Sequence, residues 1–476
     1  MKNFFPMIGL EVHVELLTQS KMFCRCSSKF GAPPNSHTCP GCLGLPGTLP
    51  VLNGKAVELG IKTALALGCE IPPWSNFERK SYFYPDLSRN FQISQFKHPL
   101  AIHGMLSLST RSIRIRRVHL EEDTGKLLHN DDARNAWTGI DFNRSGLSLM
   151  EIVTEPDIEN PEEAEEFLRQ LKRILTFIEV SDCSMEEGSL RCDANLSLKR
   201  NPGDPPGTKT EMKNLNSFKS VRRALAYEEE RQKQILTEGK QVIQETRLWD
   251  EKNSITTGMR FKEEAHDYRY FPDPDLPILF ADRDMIEKIR GEMPELPSVR
   301  EERFMQDYAL SSYDSALLTS EKKLADYFEE SITHYANPRI LSNWMLTVLL
   351  SMLNLHGVSI EKSPIEPLRF AKLVELVETK TINSAAGKKL LEKMWESEKM
   401  PATLVKEMNL IQISDPDDLK KIVKEVIQAN PKVVEDIRNG KTQAVGFLIG
   451  KVMQVSKGKA NPGLAKEIAL ELIDAV

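Results

Sequence analysis

The sequence predicts an α+β protein: mixed strands and helices over residues 1–293, then helices to the C-terminus. Two observations carry this. Short segments in the first part alternate apolar and polar residues with period two, the mark of half-buried strands. Beyond the Met-Pro-Glu-Leu-Pro stretch at 293–297, which breaks regular structure, the apolar spacing is helical almost throughout. At 476 residues with 40% hydrophobic and 28% charged side chains, the composition excludes a disordered chain, a fibre or a disulfide-stapled miniprotein. It fits roughly three domains, with boundaries expected at 293/294 and 405/406.

The first strand, Ile8–Leu16, places Leu10, Val12, Val14 and Leu16 on one face and Glu11, His13 and Glu15 on the other. The alternating basic segment Arg114-Ile115-Arg116 runs directly into His119, Glu121, Glu122 and Asp123. Leu149–Val153 holds Glu151 at the centre of an apolar run, and Leu190–Leu198 sets Arg191, Asp193, Asn195 and Ser197 opposite five apolar residues. Such faces are often merely solvated. Here, however, they carry carboxylates and a histidine where Lys, Thr and Gln are usual. Carboxylates gathered on one face repel one another and need compensation, which Mg²⁺ or Mn²⁺ supplies. A sheet of this kind suits phosphoryl transfer from ATP, with Arg191 and Lys213 meeting phosphate oxygens.

Seven cysteines all lie at or before Cys192. Cys24 and Cys26, then Cys39 and Cys42, form two pairs with twelve residues between them, a set that suits tetrahedral, structural Zn²⁺. Free buried thiols or a redox pair are the other readings. Residues 160–180 predict an amphipathic helix capped by Asn160, and a second helix is expected from Ser217 to Gly239. Later helix starts are expected at Ser320, Pro364, Asn383 and Asp415–Pro416. The net charge of −6 gives no global attraction to nucleic acid. Residues 437–466 are nevertheless locally basic, with Arg438, Lys441, Lys451, Lys457, Lys459 and Lys466 and no acidic residue. Their Ser456–Pro462 loop suits a phosphate backbone. Polar residues interrupt the longest apolar run, Leu341–Leu355, so no membrane span is expected, and a cytoplasmic protein is. No motif supplies a nucleophile for releasing ammonia from an amide.

The segments IGLEVHVELLTQSKMFC, CPGCLGLPGTLPVLN, RKSYFYPDLS, HLEEDTGK, MEIVTEPD, MEEGSLRCDAN, DYRYFPDPD and VGFLIGKVMQVSKGKANP closely resemble the GatB/GatE family, the B subunits of tRNA-dependent aspartate/glutamate amidotransferases. The resemblance runs from residue 8 to about 462. It implies a cradle-like, antiparallel-sheet catalytic domain over 1–293 like that of glutamine synthetase and guanido kinases, with a zinc-binding insertion at 24–42. A helical domain over 294–405 and a helical tail over 406–476 that grips tRNA would follow. It also implies ATP- and Mg²⁺-dependent phosphorylation of the side-chain carboxylate of Asp-tRNA(Asn) or Glu-tRNA(Gln). Ammonia then displaces the phosphate. It is supplied from glutamine by the partner amidase, the A subunit, and the small C subunit makes up the heterotrimer. Carried over by position, His13, Glu122 and Glu151 match the metal ligands, with Glu11 and Glu121 beside them. Arg191 and Asp193 match the active-site strand, and Cys24, Cys26, Cys39 and Cys42 match the zinc-bearing members. Lys80 and Tyr82 are expected near the ammonia path or the acceptor end, and Lys451, Lys457 and Lys459 at the tRNA. A stand-alone carboxylate–amine ligase acting on a small acid and a non-enzymatic zinc-containing RNA-binding protein are the competing readings.

Overall fold

The computed structural model describes residues 4–130, 136–259, 268–413, 415–438, 443–456 and 458–474. Lys441 and Lys457 of the basic stretch lie outside these residues. The chain divides into two compact units at Pro297/Ser298.

In the first unit β1 (Phe5–Glu15) leads through the cysteine-bearing loop to α1 (Gly54–Ala66). Then come β2 (Trp74–Ser75), β3 (Glu78–Ser81), β4 (Phe91–Ser94), β5 (Ala101–Ser107), β6 (Ser112–Glu122), β7 (Lys126–Asn130), β8 (Trp137–Asp141) and β9 (Ser148–Thr154). These are followed by α2 (Pro161–Phe177), β10 (Leu190–Lys199), β11 (Thr210–Lys213) and α3 (Phe218–Thr237). The unit ends with β12 (Thr246–Asp250), β13 (Ile255–Gly258), β14 (Phe271–Pro272), β15 (Leu279–Phe280) and α4 (Arg283–Glu292).

Eight strands form one sheet in the order β13-β12-β11-β10-β1-β9-β6-β5, antiparallel except between β11 and β12. β1 is central, with its alternation fully expressed. Leu10, Val12 and Val14 are at most 1% exposed, while Glu11, His13 and Glu15 on the other face are half-buried. The apolar face is covered by α2 and α3, whose Phe167, Leu171, Leu175, Val221 and Leu225 join the same core. Each such side chain contributes about 1.5–3 kcal/mol by burial. A one-residue slip of β1 would turn three ionisable residues into that core, so the register is strongly specified. Asn160 caps α2 by accepting from Glu163 N (2.8 Å), and Ser217 caps α3 by accepting from Ser220 N (3.0 Å).

A second, three-stranded sheet, β14-β3-β4, lies beside β6. Gln92 Nε2 of β4 donates to Glu122 O (2.7 Å), and Leu120 N donates to Gln95 Oε1 (3.0 Å).

Among its described residues the second unit consists of helices and their connections, with one isolated parallel bridge between Ile413 and Ala460. α5 (Pro297–Asp307), α6 (Ser312–Leu318), α7 (Lys322–His334), α8 (Pro338–Trp344), α9 (Leu350–His356), α10 (Pro367–Glu378), α11 (Ser384–Trp395) and α12 (Pro401–Glu407) contribute to one apolar cluster. α13 (Pro416–Ala429), α14 (Pro431–Arg438), α15 (Ala444–Val455) and α16 (Pro462–Asp474) build another around Leu419, Val423, Leu448 and Ile468. Asn383 and Asp415 cap α11 and α13 as expected. Ser320 does not start α7: its hydroxyl donates to Leu317 O at the end of the preceding helix, leaving Glu321 at the cap. Pro364 likewise precedes α10, which begins at Pro367. Among the described residues no helix is long and apolar enough to cross a membrane.

A candidate metal site on the polar face of the large sheet

Strand register gathers the sequence-predicted residues in the middle of the large sheet. His13 of β1 lies opposite Glu151 of β9 on one side and Arg191 of β10 on the other. Across β9, Glu151 faces His119 of β6. His13 Nε2 is 3.6 Å from Glu121 Oε1 and 3.6 Å from Glu151 Oε2. His119 Nε2 lies 3.0 Å from Glu151 Oε2. One ligand atom each from His13, Glu121 and Glu151 falls within 4.8 Å of the others, a set that could share one ion.

The expected trio is His13, Glu122 and Glu151, and this is not the set brought together. Glu121 and Glu122 are consecutive on β6, so their side chains leave opposite faces. Glu121 turns toward His13 and accepts from Ser94 Oγ (3.0 Å). Glu122 turns away, pairs with Arg89 and accepts from Ile93 N (3.0 Å). It lines a cavity of about 240 Å³ together with Arg79, Arg89, Asp273 and Cys42.

Electrostatics fit a cation at the trio. Burial by itself would raise Glu151, but His119 and His13 hold its carboxyl well below the usual range. Glu121 is lowered against the same burial, chiefly by its bond with His119. Burial opposes a charge on His119, yet Glu151 and Glu121 push it up to about 9. Two ionised carboxylates and an imidazole are a donor set that suits Mg²⁺ or Mn²⁺.

Around the trio the sheet alternates charges. Glu11 accepts from Asn195 Nδ2 (3.0 Å), Asp193 pairs with Lys213, and Lys213 Nζ is 3.1 Å from Glu211. Arg191 Nη2 donates to Asp123 (2.7 Å), with Arg144 Nε 3.6 Å from the same carboxylate. Glu15 lies beside this group and is pushed up to about 8, first by burial and then by Asp123. Its proton is therefore held in the folded state and lost in the unfolded chain between about pH 4.5 and pH 8. The stability this contributes is full below the lower value and disappears as pH rises through the upper. Glu15→Gln is expected to raise the urea midpoint at pH 9 and leave it nearly unchanged at about pH 4.5. Equal midpoints at both pH values would contradict the burial of Glu15.

Lys80 of β3 places Nζ 4.9 Å from the ring centre of Tyr268 and 5.8 Å from that of Tyr82. The four cysteines also converge: Cys24, Cys26, Cys39 and Cys42 bring their sulfurs within 4.8 Å of one another. Cys39 N donates to Cys42 Sγ (3.1 Å), and the fully buried Lys21 places Nζ 3.7 Å from the same sulfur. Hydrogen bonding from Cys24 leads the effects that bring the Cys42 thiol down to about 4. In the second unit Lys451 lies on α15, with Nζ 5.7 Å from the Phe447 ring centre, and Lys459 lies in the turn before α16.

Sequence reasoning missed Ser94, Arg89 and Lys21. Each sits in a short polar-apolar mixture (QISQF, LSRNF, SKMFC) where nothing in the spacing marks one polar residue above its neighbours. His119 was visible only as part of an acidic run.

Two family models match the chain: the GatB/GatE catalytic domain over residues 6–287 and the GatB domain over 326–473. Similar curated proteins include those of Carboxydothermus hydrogenoformans (50% identity over 98% of both chains) and Moorella thermoacetica (50%, over 98% of this chain and 99% of the relative). A third, from Thermodesulfovibrio yellowstonii, is 48% identical over 99% of both. All three are named as the B subunit of aspartyl/glutamyl-tRNA(Asn/Gln) amidotransferase.

Proposed function

The chain belongs to the GatB/GatE family, and we propose that it works as the B subunit of an aspartyl/glutamyl-tRNA(Asn/Gln) amidotransferase, activating the side-chain carboxylate of Asp-tRNA(Asn) or Glu-tRNA(Gln) with ATP. One observation supports this chemistry above others: two carboxylates and a histidine converge on the polar face of the sheet, flanked by Arg191 and Lys213. The eight-stranded, mostly antiparallel sheet with one polar face supports the cradle-like reading, comparable to glutamine synthetase and guanido kinases.

ATP and a carboxylate repel, so the site must neutralise charge before they meet. His13, Glu121 and Glu151 would hold Mg²⁺, which when bound supplies Lewis-acid neutralisation of phosphate oxygens. Ser94 and His119 fix the carboxylates of Glu121 and Glu151 by hydrogen bonds and so set their orientation. Arg191 and Lys213 sit where they can meet phosphate oxygens. Their pairing with Asp123 and Asp193 holds both side chains in place over the sheet. A substrate carboxylate oxygen attacks the γ-phosphorus and ADP leaves. Ammonia then attacks the acyl carbon and phosphate departs. The acyl phosphate must be sheltered from water, and the face is overhung by the small sheet through Gln92 and Ser94.

The sequence carries no amidase motif, so the ammonia would come from a partner amidase, the A subunit, and the small C subunit would make up the heterotrimer. The four cysteines would hold structural Zn²⁺, and the tail, through Lys451, Lys457 and Lys459, would contact tRNA. The protein would do this work in the cytoplasm. The test is reconstitution with the two partner proteins, ATP, glutamine and each misacylated tRNA. Amidation should require both ATP and tRNA. Conversion of free aspartate or glutamate without tRNA would favour the small-acid ligase instead. Deleting residues 406–476 is expected to raise KM for aminoacyl-tRNA at least roughly tenfold, because several phosphate contacts are lost together. An unchanged KM would remove the tail from the RNA interface.

A further inference from the structure

A run of aromatic rings borders the metal site that no step above uses. Tyr82 and Tyr268 meet edge to face with ring centres 5.9 Å apart, Tyr268 and Tyr270 at 6.2 Å, and Tyr270 stacks on Phe96 at 4.4 Å with 12° between planes. The small sheet explains the alignment. β14 pairs with β3 through Phe271↔Arg79, and Ser81 N donates to Tyr268 O (2.9 Å), so the chain before β14 runs alongside the end of β3. Cations stand at both ends of the run. Lys80 Nζ lies over Tyr268, and the Arg117 guanidinium lies 5.6 Å from the Phe96 ring centre. Arg117 Nε is buried without a hydrogen-bond partner.

The rings lie close to the reacting region. Phe96 follows Ser94, the residue that holds Glu121, by two positions. Burial raises the Tyr82 and Tyr270 hydroxyls first, and the charge of Glu121 adds to both. Buried cores do not need this arrangement, because Phe96 stays 44% exposed while stacked.

We propose that Tyr82, Tyr268, Tyr270 and Phe96, with Lys80 and Arg117 for phosphates, form a stacking platform for the unpaired 3′-terminal nucleotides of the substrate RNA, above all its last purine. The proposal rests on the amidotransferase reading and adds a binding subsite to it. Unpaired bases are held by stacking on rings, with cations tracking the backbone. The acyl group rides on the terminal ribose, so seating the last base fixes the carboxylate over the trio. A stacked purine is also what ATP offers. A run of four rings with a cation at each end is longer than one nucleotide base requires, and this favours RNA.

The assembled complex tests this with uncharged tRNA carrying 2-aminopurine as its terminal base. Stacking should quench the fluorescence strongly on binding, and Phe96→Leu and Tyr270→Leu should each largely restore it, while Tyr270→Phe keeps the quench. A second arm does not depend on any variant. Against the wild-type complex, uncharged tRNA with an abasic terminal nucleotide should inhibit amidation about tenfold more weakly than intact tRNA. KM for ATP should move less than about twofold in both leucine variants. Equal inhibition by the two tRNAs, or a quench untouched by both leucine variants, would overturn the platform. A raised KM for ATP with unchanged RNA quenching would assign the rings to ATP. Failure of the amidotransferase reading is a separate result: wild-type complex without any tRNA-dependent amidation.

Discussion

Glu151→Gln is expected to lower ATP-dependent amidation about a thousandfold while changing the Kd for tRNA less than about threefold. Glu151 is the hub of the site, lying within 3.6 Å of His13 Nε2 and 3.0 Å of His119 Nε2. The amide keeps the shape and the bond from His119 but removes the charge a cation needs. Both histidines would then face a neutral group, and the cation needed between the like-charged γ-phosphate and substrate carboxylate would be held by one fewer charged ligand. Single-turnover formation of ADP in the reconstituted complex checks the first part and filter binding the second. Near-normal ADP formation would remove Glu151 from the cation site. A non-enzymatic RNA-binding protein would show no effect beyond the binding arm.

The second large effect concerns the cysteines. Replacing Cys39 and Cys42 together by Ser is expected to abolish a content of about one zinc per chain and to lower the melting temperature of the first unit by roughly 10 °C or more, since a structural zinc site contributes its binding energy to folding. The thiols sit on the loop between β1 and α1, and Lys21 Nζ, 3.7 Å from Cys42, also donates to Phe142 O (3.1 Å). Losing the ion would leave this buried ammonium beside neutral hydroxyls and loosen the loop that borders the Glu122 cavity. Elemental analysis and thermal unfolding measure the two parts. Wild-type protein that is active and fully stable without zinc would contradict the role.

How much of this was readable beforehand depends on periodicity. The polar face of β1 was legible because alternation over Leu10–Leu16 admits one register, and the structure places Glu11, His13 and Glu15 together on the face opposite the apolar core. The two caps at Asn160 and Ser217 were legible for a similar local reason. The choice between Glu121 and Glu122 was not. Two adjacent glutamates on a strand always offer one to each face, and only the pairing of β6 with β9, together with Ser94 and Arg89 from outside that sheet, decides which points to His13. The aromatic run was hidden for the same reason: Tyr82 and Tyr268 lie far apart in sequence and meet only through the pairing beside β3.

On this reading His13, Glu121 and Glu151 hold one divalent cation on the polar face of the large sheet. Titration of the zinc-loaded complex with Mn²⁺, followed by electron paramagnetic resonance, tests it without relying on turnover. A single Mn²⁺ for each copy of this chain should bind to wild type and to Glu122→Gln, and binding should weaken at least about tenfold in Glu121→Gln and in Glu151→Gln. Full binding in Glu121→Gln combined with its loss in Glu122→Gln would move the cation from Glu121 to Glu122.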